Sequence, residues 1–295
     1  MVIQAKQAEA IPGMRKHSQW RDVWKRFRSN RVAMVSLALL LLIVAVTICS
    51  EWIAPYPYNR MNASEVFQFP SLSHPFGTDN IGRDLFSRVL VGGKISLMVA
   101  FVSVALAAVI GSLFGAVAGY FGGKCELFIM KCTDLLMAIP AFLLAVTVSA
   151  ALGTGVLKTA LAVGQCNIPR FTRLMRAETL TVKEKEFIEA SRACGSSHLR
   201  VILGHVFPNA LSSTIVNVTL GVSTAILQIS GLSFVGLGVQ PPTPEWGSIL
   251  ASGRTYMRNF WPMFVFPGIA IVVTLILFNL VGDGLRDAMD PKLKR

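Results

Sequence analysis

The chain has 295 residues, 53% hydrophobic and only 15% charged, against roughly a quarter charged in soluble globular proteins. With a mean hydropathy of +0.57, this excludes a soluble enzyme, a disordered tail and a coiled coil, and implies a polytopic helical membrane protein. The 28 basic and 16 acidic residues leave a net charge of +12, which reports either nucleic-acid binding or membrane topology, and the placement of the charges decides between them.

The N-terminal tail carries Lys6, Arg15, Lys16, Arg21, Lys25, Arg26, Arg28 and Arg31 against Glu9 and Asp22. That excess places residues 1–31 in the cytoplasm. The first uncharged run, Val32–Ser50, starts too late and runs too long for a cleaved signal peptide, so it is expected to stay as an anchor. Residues 32–94 then comprise the first span and an extracytoplasmic segment punctuated by Pro55, Pro57, Pro70 and Pro75. Within it, Thr78 or Asp79 can cap a helix carrying Ile81, Leu85, Phe86 and Val89, an amphipathic helix on the outer membrane surface. An acid–base pair of Asp79 and Asp84 is disfavoured, because Arg83 and Arg88 would keep both carboxylates ionised.

Ile95–Phe121 is the second span, and its Gly111, Gly115 and Gly119 form a ladder that admits another helix closely. Gly122-Gly123 mark a turn inside the cell, and Leu135–Leu157 is read as the third span. Thr159–Pro169 is short, hemmed in by Lys158 and Arg170, and crosses only by borrowing residues on each side while both cations snorkel. Parity favours it: segment 170–208 carries Arg170, Arg173, Arg176, Lys183, Lys185, Arg192 and Arg200 against Glu178, Glu184, Glu186 and Glu189, so it too belongs inside. Asn209 to about Ser230 and Phe260–Gly282 complete six spans, with Lys292, Lys294 and Arg295 also cytoplasmic.

Segment 170–208 reads as two short helices around a sharp turn. Thr181–Cys194 is an amphipathic helix of about 20 Å, with Phe187, Ala190 and Cys194 on one face. Gly195 stops it, Ser196-Ser197 cap a second helix through Leu203, and Pro208 opens the fifth span. Such a hairpin is either a solvated loop or a lever fitting a groove on a cytoplasmic partner, and the slim Ala190, Ala193 and Gly195 favour the lever. Beyond the fifth span, Gly236 and Gly238 with Pro241, Pro242 and Pro244 break the helix into a gate or a contact for an external partner.

No GxxxxGK[ST] occurs: before Gly123-Lys124, Ala118 stands where the first glycine belongs and Cys125 where the hydroxyl belongs. HExxH and GxSxG are absent, and the five cysteines and four histidines show no metal-ligand spacing. The spans carry almost no ionisable side chains, unlike those of an ion-coupled pump. Energy for transport is therefore expected from another subunit, which disfavours a self-sufficient secondary transporter or a membrane-embedded enzyme.

The residues Glu189-Ala190-Ser191, Gly195 and His205-Val206-Phe207-Pro208 resemble the "EAA" pattern of permease subunits of bacterial ABC importers for dipeptides, oligopeptides and nickel. The runs His74-Pro75-Phe76-Gly77-Thr78-Asp79, Gly82-Arg83-Asp84, Leu232–Gly238, Glu245-Trp246-Gly247 and Asn279–Asp287 resemble the same branch, from about Trp20 to Lys292. One departure is visible: Ile168-Pro169-Arg170-Phe171-Thr172-Arg173 stands where relatives commonly show Trp-Pro-x-Tyr-Ala-Arg.

The resemblance implies an all-α, six-helix type I importer fold. Its transmembrane domain would span 95–284, with the coupling segment at 181–208 and a C-terminal tail at 285–295. It further implies a second homologous permease, two cytoplasmic ATPases and an extracytoplasmic solute-binding protein, all at the bacterial inner membrane in contact with its lipid. Coupling to the ATPases would fall to Glu189, Ala190, Ser191, Arg192 and Gly195. Gly77, Thr78, Asp79, Gly82, Arg83, Asp84, Phe234, Gly236, Gly238 and Trp246 would dock the binding protein or form the outer gate. The chain itself would have no catalytic residue, metal or cofactor, since ATP and Mg belong to the partner ATPases. Short peptides would be the cargo, with nickel, metal chelates, opines or glutathione as alternatives. The net charge is then a topology signal, and no nucleic acid is implied.

Overall fold

A computed structural model describes residues 19–289. Those residues form helices α1 (Gln19–Ser29), α2 (Arg31–Ile48), α3 (Ser50–Ile53), α4 (Leu85–Phe121), α5 (Gly123–Met137), α6 (Ala141–Leu152), α7 (Val156–Lys183), α8 (Glu186–Ala193), α9 (His198–Val201), α10 (Phe207–Phe234), α11 (Trp246–Gly253) and α12 (Pro262–Met289). Among them there is no strand, only an isolated antiparallel bridge between Thr78 and Asp84. The charged positions assigned to the cytoplasm at Lys6–Lys16 and Lys292–Arg295 lie outside the described residues.

By length and apolarity α2, α4, α10 and α12 can each cross a bilayer, and α5 with α6 forms a fifth unit bent by 89°. Helix α7, 28 residues long, is more polar and is not among them. The third span, expected straight over 135–157, is thus broken. Pro140 carries no amide hydrogen and adopts an extended conformation (ψ 128°), which ends α5 and starts α6 in a new direction. The expected fourth span, Thr159–Pro169, falls inside α7, which begins at Val156 and continues past it to Lys183. Pro169 lies within α7 without ending it.

The glycine ladder is the principal seam. A Cβ on Gly111 would lie 2.6 Å from Phe171 Cβ, on Gly115 2.4 Å from the Thr172 carbonyl, and on Gly119 2.7 Å from Thr179 Cβ. Gly164 on α7 returns the contact, with a Cβ there 2.9 Å from the Ser103 carbonyl. The two helices therefore pack almost backbone to backbone along their length. Arg176 to Glu126, and Arg173 to Asp134 at 2.7 Å, hold α5 against the C-terminal half of α7.

Two further expectations are corrected. No separate surface helix forms at 78–88. The Asp79 side chain accepts from the amides of Ile81 and Arg83 at 3.0 and 2.9 Å and closes a tight turn. Asp84, accepting from Ser87 N at 2.7 Å, then caps α4, so Leu85, Phe86 and Val89 begin the second span rather than lie on the membrane. Thr181–Cys194 is likewise not one helix. The chain follows α7 to Lys183, turns through extended Lys185, and only then forms the eight-residue α8. At the outer end α10 continues past Ser230 to Phe234, and α12 runs through Gly284 to Met289.

Candidate functional site

Two assemblies stand at opposite ends of the bundle. The outer one is a polar knot. Thr78 Oγ1 donates to the Glu65 carbonyl and accepts from Gln68 N at 2.9 Å. Asp79 receives Arg83 Nε at 2.6 Å and faces Arg88 Nε at 3.7 Å, while Arg88 Nη1 donates to the Tyr58 carbonyl at 3.1 Å. Asp84 Oδ1 lies 2.8 Å from His74 Nδ1, and the imidazole stacks on Tyr56. Gly77 and Gly82 have φ near +78° and +75°, and a Cβ on Gly82 would sit 1.8 Å from the Asn62 carbonyl, so only glycine fits there.

Beside this knot, Glu245 is wholly buried and caps α11. Its carboxylate accepts from the amides of Gly247 and Ser248, both at 2.8 Å, and from Ser96 Oγ at 3.1 Å and Ser233 Oγ at 2.7 Å. One buried carboxyl group thus joins α4, α10 and α11, and hydrogen bonds satisfy it. Trp246 Nε1 donates to the Val89 carbonyl at 2.8 Å.

These contacts sort the expected docking residues. Gly77, Thr78, Asp79, Gly82, Arg83, Asp84, Gly238 and Trp246 are buried. Phe234 and Gly236 are exposed, with the Arg254 guanidinium 4.9 Å over the Phe234 ring. The residues that reach outward from the knot are Phe69, Leu72 and Pro75, of which Leu72 is fully exposed. An exposed leucine between prolines is the available sequence signal for them.

The inner assembly is the hairpin. Glu189, Ala190, Arg192 and Gly195 are exposed and Ser191 is half-buried. Ile188 is the one fully buried side chain of α8, set among Val182, Val201 and Met175. Gly195 has φ +77° with open space where a Cβ would stand. Ser197 Oγ accepts from Arg200 N at 3.4 Å and caps α9, which runs through a π-helical turn at Ile202–Val206 into α10. Tyr120, at the C-terminal end of α4, seats the hairpin. Its hydroxyl is 2.9 Å from His198 Nδ1, and the Arg192 guanidinium lies 4.8 Å over its ring. Tyr120 escaped the sequence reading because no spacing rule pairs it with residues so far along the chain.

A bundle of long apolar helices, with an exposed helical hairpin set between α7 and α10, has the form of a membrane-embedded subunit. The model describing the inner membrane component of binding-protein-dependent transport systems matches residues 111–295, and that of the N-terminal transmembrane domain of oligopeptide transport permease C matches 18–71. The chain belongs to this family: it is a permease subunit of an ABC importer. It is 44% identical over 93% of its length to a glutathione transport system permease of Escherichia coli O1:K1, covering 91% of that protein. A protein of the same description from Shigella boydii serotype 4 is 45% identical with the same coverage. In fold it is similar to a chain of the inward-facing MetNI methionine ABC transporter, with a TM-score of 0.56 and 19% identity, over 68% of this chain and 96% of that one.

Proposed function

We propose that this permease pairs with a second, homologous permease to import short peptides delivered by an extracytoplasmic binding protein. ATP and Mg act in two cytoplasmic ATPases that grip the hairpin 186–201, and the chain holds no cofactor of its own. The observation that carries this reading is the hairpin's division of surfaces. Ile188 anchors it to the bundle, while Glu189, Ala190, Arg192 and Gly195 face outward, small and charged by turns, as a helix entering a partner's groove requires. ATP-driven closure of the ATPases would move that hairpin as a lever. At the other end, the exposed 69–75 loop, Phe234 and Gly236 would meet the binding protein, with the buried knot behind them as scaffold. Both termini are then cytoplasmic, in a bacterial inner membrane.

Glutathione, a short peptide with free carboxylates, is the cargo named for the two relatives and fits the same class. Uptake of radiolabelled glutathione and of a dipeptide tests the reading, in vesicles holding this permease, its partner permease, both ATPases and the binding protein. ATP-dependent accumulation is expected, and uptake of nickel alone would replace it. Orientation is tested separately. A cysteine at Thr243 should react with an impermeant thiol reagent from outside and one at Lys185 should not, and the reverse pattern would overturn the six-span topology.

A further inference from the structure

Helices α7 and α10 carry polar side chains that neither the outer knot nor the hairpin uses. On α10, Asn217, Thr224 and Gln228 recur at spacings of seven and four and so share one stripe. On α7, Asn167 and Arg170 face them. Asn167 Nδ2 donates to Gln228 Oε1 at 2.9 Å, and Arg170 Nη2 donates to Asn217 Oδ1 at 3.3 Å. All five are only half-buried. At 1.5 Å per residue, Asn167 and Arg170 lie about 17 and 21 Å along α7 and Gln228 about 9 Å from the end of α10, so where these helices cross a bilayer the three side chains lie inside it. Polar and charged groups at that depth face a water-filled cavity or a partner rather than lipid.

A cavity lies there. Its volume is about 360 Å³, and Asn167, Arg170, Thr224 and Gln228 line it. The break between α5 and α6 at Met137, Ile139 and Pro140 forms much of the rest of its wall, with Leu144, Cys166 and Pro169 beside it, and such non-helical backbone is tolerated in a membrane next to a cavity.

Arg170 differs from its neighbours on α7. Arg173 is paired with Asp134 and Arg176 with Glu126, whereas among the described residues Arg170 has an amide oxygen and no carboxylate. A guanidinium at membrane depth without an anion calls for one. Its planar fork suits a carboxylate, and the side-chain amides beside it suit peptide N–H and C=O groups.

We propose that Arg170, Asn167, Asn217, Thr224 and Gln228 form a transit site that holds the carboxylate and amide groups of the peptide as it crosses. The assignment of the ligand rests on the short-peptide reading above, and the assignment of the stripe to the aqueous path does not. The test uses the assembled transporter in vesicles with glutathione as probe. Arg170→Gln should lower glutathione taken up per ATP hydrolysed by about tenfold, the scale of one charged hydrogen bond, and Arg170→Lys should recover much of it. An unchanged ratio, or equal loss in the glutamine and lysine variants, would overturn the carboxylate role, the latter because it marks a packing or inter-subunit contact.

Gln228→Cys supplies an independent measurement. It should react with a water-soluble thiol reagent above the background of the unaltered chain, and more slowly while glutathione and binding protein are being turned over. No reaction would overturn the path assignment even if transport is normal. Should the unaltered transporter carry no peptide, the peptide reading and the carboxylate role fail together, while labelling at 228 still decides whether the stripe lines the path.

Discussion

The two ends of the bundle solve opposite problems. The outer end buries its titratable side chains: Asp79, Arg83, Arg88, Asp84, His74 and Glu245 are all under a tenth exposed and engaged in hydrogen bonds or ion pairs. The inner end leaves most charges of the hairpin exposed and holds it mainly through apolar contacts of Ile188 and Val201 and through Tyr120 against His198 and Arg192. A fully satisfied buried network has one arrangement, because each alternative strands a donor or acceptor at about 1–3 kcal/mol. A hairpin held by a few contacts has several arrangements close in energy. The outer end is thus built to keep its shape and the inner end to change position.

The sharpest way to break this contrast is Glu245→Ala. It strands two amides and two hydroxyls in a dry site, and should cost about 3 kcal/mol or more. Expected are a thermal midpoint in detergent lower by about 10 °C and loss of assembly. A midpoint within a degree or two of the unaltered protein would show that the outer end is not fixed by this carboxyl group.

Gly115→Leu comes next, because its side chain must enter the space of the Thr172 carbonyl and Met175. Overpacking there should cost about 1–3 kcal/mol, seen as a lower midpoint and weaker pairing of cysteines placed across α4 and α7. Gly195→Arg should do the reverse of both. The position has free space, and a non-glycine residue at φ +77° costs only about 1–2 kcal/mol locally. The subunit should insert and assemble while uptake is lost and ATP hydrolysis continues, and unaltered uptake would remove the lever from the account. The smallest effect belongs to Tyr120→Phe. It loses the contact with His198 but keeps the ring under Arg192, so stability should fall by about 1 kcal/mol with a modest drop in uptake per ATP. A variant as severe as Gly195→Arg would mean that the hairpin is held more firmly than its exposure suggests.

Much of this was legible in the chain alone, where the signal was periodic or local. Uncharged runs located α2, α4, α10 and α12, the Gly111/Gly115/Gly119 spacing announced a close helix pair, and Gly195 announced the turn. What escaped was decided by competition between neighbouring signals or by long-range pairing. Thr78, Asp79 and Asp84 are all good caps. The choice fell on Asp84 because Asp79 is consumed by its own turn and by Arg83. Pro140 breaks a span while Pro169 does not, although both sit in apolar runs. The difference lies in packing, since Pro169 is buried within α7 and Pro140 stands exposed, although both border the same cavity. The polar stripe of α7 and α10 was hidden because Asn167 and Gln228 are far apart in sequence and unremarkable singly. Arg170 read as a span boundary when it is an interior residue of α7.

The glycine ladder has a mechanical corollary. Helices in near-backbone contact have no soft layer of side chains to shear, so α4 and α7 behave as a single stiff beam. Helix α8 hangs from one end of it, across the two-residue bend at Glu184 and Lys185, and the other end is set through Asp84 into the buried outer knot. A tug on the hairpin would then reach the other end of the bundle as tilt, with little lost to compression along the way.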